Sequence, residues 1–173
     1  MAMAPTLIGM TDSQNKIPGD DKNLGEYIFA NKMIYRYSKP QRGDIIVFDS
    51  GDHWQNGEPV IIMKRVVGLP GETVDIESPY LIVNGKRVTE PSIFEKITSC
   101  QDGYEGYLHP ENIAASQQIK PLPLTLGPDE YYLLGDHSST SFDSRFTDPV
   151  HRNDILGRVI RRYYPFSRAG TVE

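Results

Sequence analysis

The chain has 173 residues, 38% of them hydrophobic and 24% charged, with a formal net charge of -5 and a pI near 5.4. That length fits one domain with enough chain for a real core, and the acidic balance, without a basic stripe carrying interleaved aromatics, sets nucleic acid aside as a partner. No apolar run approaches the roughly 18 residues of a membrane-spanning helix, and the single Cys100 permits no intrachain disulfide.

In chain order, β signals dominate. The polar Gly, Pro, Asp and Asn stretch over 8–24 reads as a flexible insertion. Strands are predicted over 26–30, 44–48, 59–67, 80–83, 86–89, 130–134 and 156–164. Leu69-Pro70-Gly71-Glu72 has the proline-then-glycine chemistry of a type II turn that ends the third of these. Asn84-Gly85 predicts a tight hairpin of the type I′ kind. From 91 to 129, with Pro91, Pro110, Pro121 and Pro123, the pattern weakens into a mixed segment with one short helix near Glu111 to Gln118. There is no internal repeat and no low-complexity tract.

Lys64 is the residue with the most chemistry in it. It lies in the run Ile61-Ile62-Met63-Lys64-Arg65-Val66-Val67, where a strand should be buried. Burial disfavours an ammonium, so the pKa of such a lysine falls towards the range useful to a general base. Most lysines in strands are ordinary edge or surface residues, and Lys64 alone does not separate the two cases. Other constellations are weaker. Asp136-His137-Ser138 has the residue types of a triad, but adjacent residues point in different directions and cannot form the relay. His53, His109, His137 and His151 lack metal-ligand spacing, so no metal or other cofactor is expected, and no phosphate-cradling loop is present.

Four further stretches accompany the Lys64 run. They are Met3-Ala4-Pro5-Thr6-Leu7, the segment from Gly25 to Lys32, Arg42 to Phe48, and Gly135 to Arg145. In this order and at these separations, the five resemble the conserved boxes of type I signal peptidases, the serine-lysine peptidases that remove secretory signal peptides. The resemblance spans nearly the whole chain. It implies a mostly β fold, an antiparallel sheet or barrel core over 1–90 and 130–173, with 91–129 as a variable inserted subdomain. It implies Lys64 as general base and Ser141 as the hydroxyl that orients its amine. Arg65 follows the base in the motif, and Asp143 and Arg145 match a charged pair that supports the last box.

The nucleophile of the family should be a serine directly before Met3, and this chain has Ala2 there. A methyl group cannot attack a carbonyl, so the chain as written should be inactive. A second serine, which the family places two residues ahead to help hold the oxyanion, would precede Met1. The Met1-Ala2 start resembles a cloning boundary, which suggests a truncated form without the N-terminal membrane anchor that family members carry, their catalytic domain facing the extracytoplasmic side.

The resemblance also implies the substrate, a signal peptide laid in extended form beside the lysine strand with small residues at the first and third positions before the cut. By position, Met3, Ile61, Met63 and Phe142 are candidates for that groove, against plain core packing. A membrane lipid surface is the other expected partner, with Trp54, Tyr35 and Tyr37 as candidate contacts. Two alternatives remain at this level. One is a noncatalytic relative that binds secreted polypeptides without cleaving them, and the other is a self-cleaving repressor of related serine-lysine type.

Overall fold

The computed structural model of the protein describes residues 2–7, 26–53, 59–113 and 119–172. Eleven strands run in chain order among them: β1 (Tyr27–Asn31), β2 (Ile45–His53), β3 (Pro59–Gly68), β4 (Thr73–Glu77), β5 (Tyr80–Val83), β6 (Lys86–Arg87), β7 (Leu124–Thr125), β8 (Glu130–Leu134), β9 (Val150–His151), β10 (Ile155–Tyr164) and β11 (Gly170–Thr171). One short helix, α1 (Ile93–Thr98), lies between β6 and β7. All pairings are antiparallel, so the mostly β, antiparallel class expected from the sequence holds.

The larger sheet has the order β1-β10-β2-β3-β8-β9, with β11 added to β10, and the smaller one the order β6-β5-β4-β7. β3 sits near the middle of the larger sheet. Its second half, Lys64 to Gly68, is buried at five successive positions. Both faces are covered there: Ile46, Val66 and Leu133 pack with Tyr35, Phe48, Tyr131 and Ile155 on one face. Val67 and Leu134 join the core of the smaller sheet on the other. A strand covered on both faces reads as a continuous apolar run, and each fully buried aliphatic there stabilises the fold by about 1.5–3 kcal/mol relative to exposure.

Both turns form as the sequence implies. Gly71 takes a positive φ of 80° and Glu72 N–H donates to Leu69 O at 3.1 Å. Asn84 and Gly85 both have positive φ, 50° and 73°, which is what a type I′ hairpin needs.

Besides the two-residue strands β7, β9 and β11, three elements depart from the sequence reading. β4 was not among the predicted strands, although Val74 and Ile76 alternate into the core while Asp75 and Glu77 turn outwards. In α1, Ile93, Phe94 and Ile97 are buried over only six residues, too short a window for a 3.6-residue period to register. Near the expected helix at Glu111 to Gln118, a single 3-10 turn spans Pro110–Asn112 and the chain is extended again at Ile113. Residues 114–118, the insertion over 8–24 and Trp54 lie outside the described residues. Tyr35 is a core residue whose hydroxyl donates to Asp44 at 2.8 Å, so it is no membrane contact, whereas Tyr37 is 87% exposed.

Candidate active site

Lys64 stands where β3 loses a neighbour. β8 pairs with β3 only as far as Arg65 opposite Leu134, so among the described residues the stretch Pro59 to Met63 is paired with β2 and open on its other side. The side chain of Lys64 is 4% exposed, and its amine makes no hydrogen bond or ion pair to another described residue. It lines a cavity of about 310 Å³ with Phe48, Ile62, Leu133, Phe142 and Ser144. Burial lowers its pKa from 10.5, and Arg145 lowers it further, while Asp143 and Asp136 oppose the shift. The net shift is downward, in the direction of the neutral amine, the form that can take a proton.

One step past the end of that ladder, Lys64 faces Gly135, and glycine is required there. A Cβ at Gly135 would come 2.2 Å from Ser141 Oγ and 2.4 Å from the carbonyl oxygen of Ala2. The absent side chain therefore lets the Ser141 side chain and the carbonyl of Ala2 converge on one point, next to the end of the ladder with the lysine strand. The carbonyl of Ala2 accepts from His137 N–H at 3.0 Å, which pins residue 2 to that loop. Ser141 is buried and its hydroxyl has no hydrogen-bond partner among the described residues.

Two buried ion pairs hold the loop from Gly135 to Arg145. Asp143 accepts from Arg145 Nε and Nη2, each at 2.8 Å, and from Gly135 N–H at 3.0 Å, so one carboxylate ties the two ends of the loop together. Arg145 also donates to Ser138 Oγ at 2.6 Å and to Ser138 O at 2.8 Å. Asp136 accepts from Arg65 Nε at 2.8 Å and Nη2 at 2.7 Å, with both side chains fully buried. Burial alone works against the charge of Arg65, but Asp136, by charge and hydrogen bonds, raises its pKa overall. Asp136 also accepts a short hydrogen bond from the hydroxyl of Thr6.

Of the residues singled out from the sequence, Ala2 and Ser141 meet at Gly135, Lys64 stands across from it, and Arg65, Asp143 and Arg145 sit in the buried ion pairs. The four groove candidates do not share one wall. Met3 and Met63 pack together with Leu7, Ile45 and Val159, on the face of β3 opposite Lys64. Ile61 is 45% exposed, and Phe142, 50% exposed, stacks on Phe146 and borders the Lys64 cavity.

Asp136, Thr6, Gly135 and Ser138 had no role assigned from the sequence. A signal for Asp136 existed in Arg65: an arginine inside an apolar strand must find a buried acid. Asp136, His137 and Ser138 turn to different partners, which excludes a triad among them: His137 Nδ1 lies 3.2 Å from Glu105 and 3.1 Å from the Thr140 hydroxyl. Among the described residues, no cluster of His, Cys, Asp or Glu could hold a metal ion, and no helix is long and apolar enough to cross a membrane.

The model of the family described as "Signal peptidase, peptidase S26" matches residues 12–164, which include Lys64 and the whole Gly135 to Arg145 loop. A signal peptidase I from Leptolyngbya laminosa is 32% identical over 91% of this chain and 68% of its own length. Signal peptidase I V from Bacillus subtilis is 31% identical over 78% of this chain and 73% of its own. A crystal structure of a signal peptidase I from Enterococcus faecalis aligns with 70% of this chain and 97% of its own, at 31% identity and a TM-score of 0.49. With the family model matched over most of its length and such relatives beside it, the chain belongs to the signal peptidase family, peptidase S26.

Proposed function

We propose that this chain is the catalytic part of a serine endopeptidase that removes signal peptides from preproteins with a serine-lysine dyad, inactive here because alanine occupies the nucleophile position, residue 2. The observation that carries this reading is the buried Lys64, whose amine has no hydrogen bond or ion pair among the described residues, on the strand next to Gly135, where the Ser141 hydroxyl and the residue 2 carbonyl pack. In a protein with serine at position 2, neutral Lys64 takes the hydroxyl proton and the serine oxygen attacks the scissile carbonyl. Ser141 orients the amine, and the backbone N–H of residue 2 donates to the oxyanion. Lys64 then returns its proton to the leaving amine, and water resolves the acyl-enzyme. Asp143 and Arg145 keep the Ser141 loop in place.

The signal peptide adds as a strand to the open side of β3 beside Met63 and Ile61, where backbone hydrogen bonds give affinity and shallow pockets admit small residues at the first and third positions before the cut. The native protein is held at the cytoplasmic membrane by an N-terminal anchor, with the catalytic domain on the extracytoplasmic side and exposed aromatics such as Tyr37 available to the lipid surface. As it stands, Ala2 leaves a protein that binds such peptides without cutting them, which is also the noncatalytic reading of the site. An Ala2→Ser version separates the two. It should cleave a preprotein about a million-fold faster than the Ala2 chain, the scale on which a lost serine nucleophile is felt. Peptide binding by both proteins with cleavage by neither would establish the noncatalytic binder instead.

A further inference from the structure

The segment carrying residue 2 is held by more than its apolar anchors. Met3 and Leu7 bury their side chains against Ile45 and Val159, which fixes how deep the segment sits. Apolar packing is not directional, so it does not by itself prevent the segment from sliding or rotating along the sheet. The His137 N–H bond to the Ala2 carbonyl fixes one end of the segment, and directional contacts to its other end come from the far end of the chain. Arg162, near the end of β10, donates from Nη1 to Thr6 O at 2.8 Å. Arg168, in the 3-10 turn Phe166–Arg168, donates from Nη2 to Pro5 O at 3.0 Å. Arg162 Nε also donates to the Arg168 carbonyl, so the two arginines are fixed to each other.

A single acid aims both guanidinium groups. Glu26, whose side chain is only 1% exposed, lies 3.5 Å from Arg162 Nη1 and 3.1 Å from Arg168 Nη1. On its other side, Thr6 gives its hydroxyl to Asp136 and shares a 2.8 Å hydrogen bond with the Tyr104 hydroxyl. Asp136 in turn grips Arg65, the residue next to Lys64. Thr6 is therefore a junction, its carbonyl held by Arg162 and its side chain tied through Asp136 to the lysine strand.

We propose that Glu26, Arg162 and Arg168 are positioning residues that hold segment 2–7 in register with Lys64 by gripping the Pro5 and Thr6 carbonyls. The inference rests on reading residue 2 as the nucleophile position. Charge-assisted hydrogen bonds to carbonyls are strong and directional. A misplacement of about 1 Å at a reacting atom costs on the order of 100-fold in rate. The peptide strand, by contrast, lies along β3 and needs none of the three residues for its backbone bonds. Loosening the clamp should therefore lower kcat while leaving substrate affinity in place.

The test uses a fluorogenic peptide with alanines at the first and third positions before the cut. In the Ala2→Ser version, Arg162→Gln should lower kcat at least about 10-fold with KM within about twofold, and Arg162→Lys should retain more of the rate than glutamine does. In the Ala2 chain, the same substitutions should leave the Kd for the uncut peptide within about twofold, with circular dichroism showing folded protein at the assay temperature. Arg168→Gln, at a guanidinium 25% exposed, serves as the second variant where Arg162→Gln does not fold. A kcat unchanged within twofold, or a Kd that rises in step with the loss of rate, overturns the positioning role. An Ala2→Ser parent that cleaves nothing overturns the reading of position 2 itself, and this inference with it.

Discussion

In the Ala2→Ser version, replacing Lys64 by arginine should reduce preprotein cleavage to the level of the Ala2 chain. An arginine at this position keeps a positive charge at every accessible pH and has no lone pair with which to accept the serine proton. Members of a nucleophile-base unit act together, and losing one typically lowers the rate by about 10⁴ to 10⁶-fold. Lys64→Met should be equally inactive, and it fits the apolar surroundings of Ile46, Ile62 and Val66 better than the bulkier guanidinium does. A Lys64→Met protein that is folded and inactive excludes misfolding as the cause. Turnover above the Ala2 background in either variant would mean that the proton goes elsewhere and that Lys64 is only a buried lysine.

Asp136→Ala should cost about 3–5 kcal/mol of stability in chemical denaturation, because it leaves the guanidinium of Arg65 fully buried without its counter-charge. The same substitution leaves the Thr6 hydroxyl only its Tyr104 partner and cuts its tie to the lysine strand, so an Ala2→Ser protein carrying it should also lose activity at temperatures where it remains folded. A paired replacement, Arg65→Met with Asp136→Leu, should recover most of the stability, since apolar side chains of similar volume avoid burying charge at all. It should not recover the activity, because Thr6 still lacks its tie to the lysine strand through Asp136. A cost below about 1 kcal/mol for Asp136→Ala would show that water reaches Arg65 and that the pair is not sealed in the core.

Much of this architecture is legible in the amino-acid order. The long apolar run around Lys64 reads as a strand because both faces of β3 are covered from Lys64 to Gly68, and the two turns read correctly because their backbone needs glycine or asparagine at positive φ. Short elements are less legible: α1 is barely a turn and a half, and the paired strands β7, β9 and β11 have two residues each, too few for any period. The site divides in the same way. Lys64 and Ser141 stand out through motif order, and Ala2 through its place directly before the Met3 to Leu7 box. The supporting contacts depend on which loop meets which strand: Thr6 reaches Asp136 across 130 positions and Arg162 across 156. No local pattern encodes such distances. Gly135 is similar, since its lack of a side chain matters only once Ser141 and Ala2 have folded against it.

The protonation of Lys64 can be measured directly in the Ala2 protein, where the proposed absence of a nucleophile should remove interference from turnover. Burial should let the folded protein release the lysine proton before the unfolded chain does, so stability should rise with pH between the lowered value and 10.5. The Ala2→Ser enzyme should likewise gain activity as pH rises through the lowered value. The decisive measurement is a heteronuclear NMR titration of Lys64 in the Ala2 protein, assigned by comparison with Lys64→Met. The expected result is a midpoint clearly below 10.5. A midpoint at or above 10.5 would contradict the account, because the amine would then hold its proton at the pH where it must accept one.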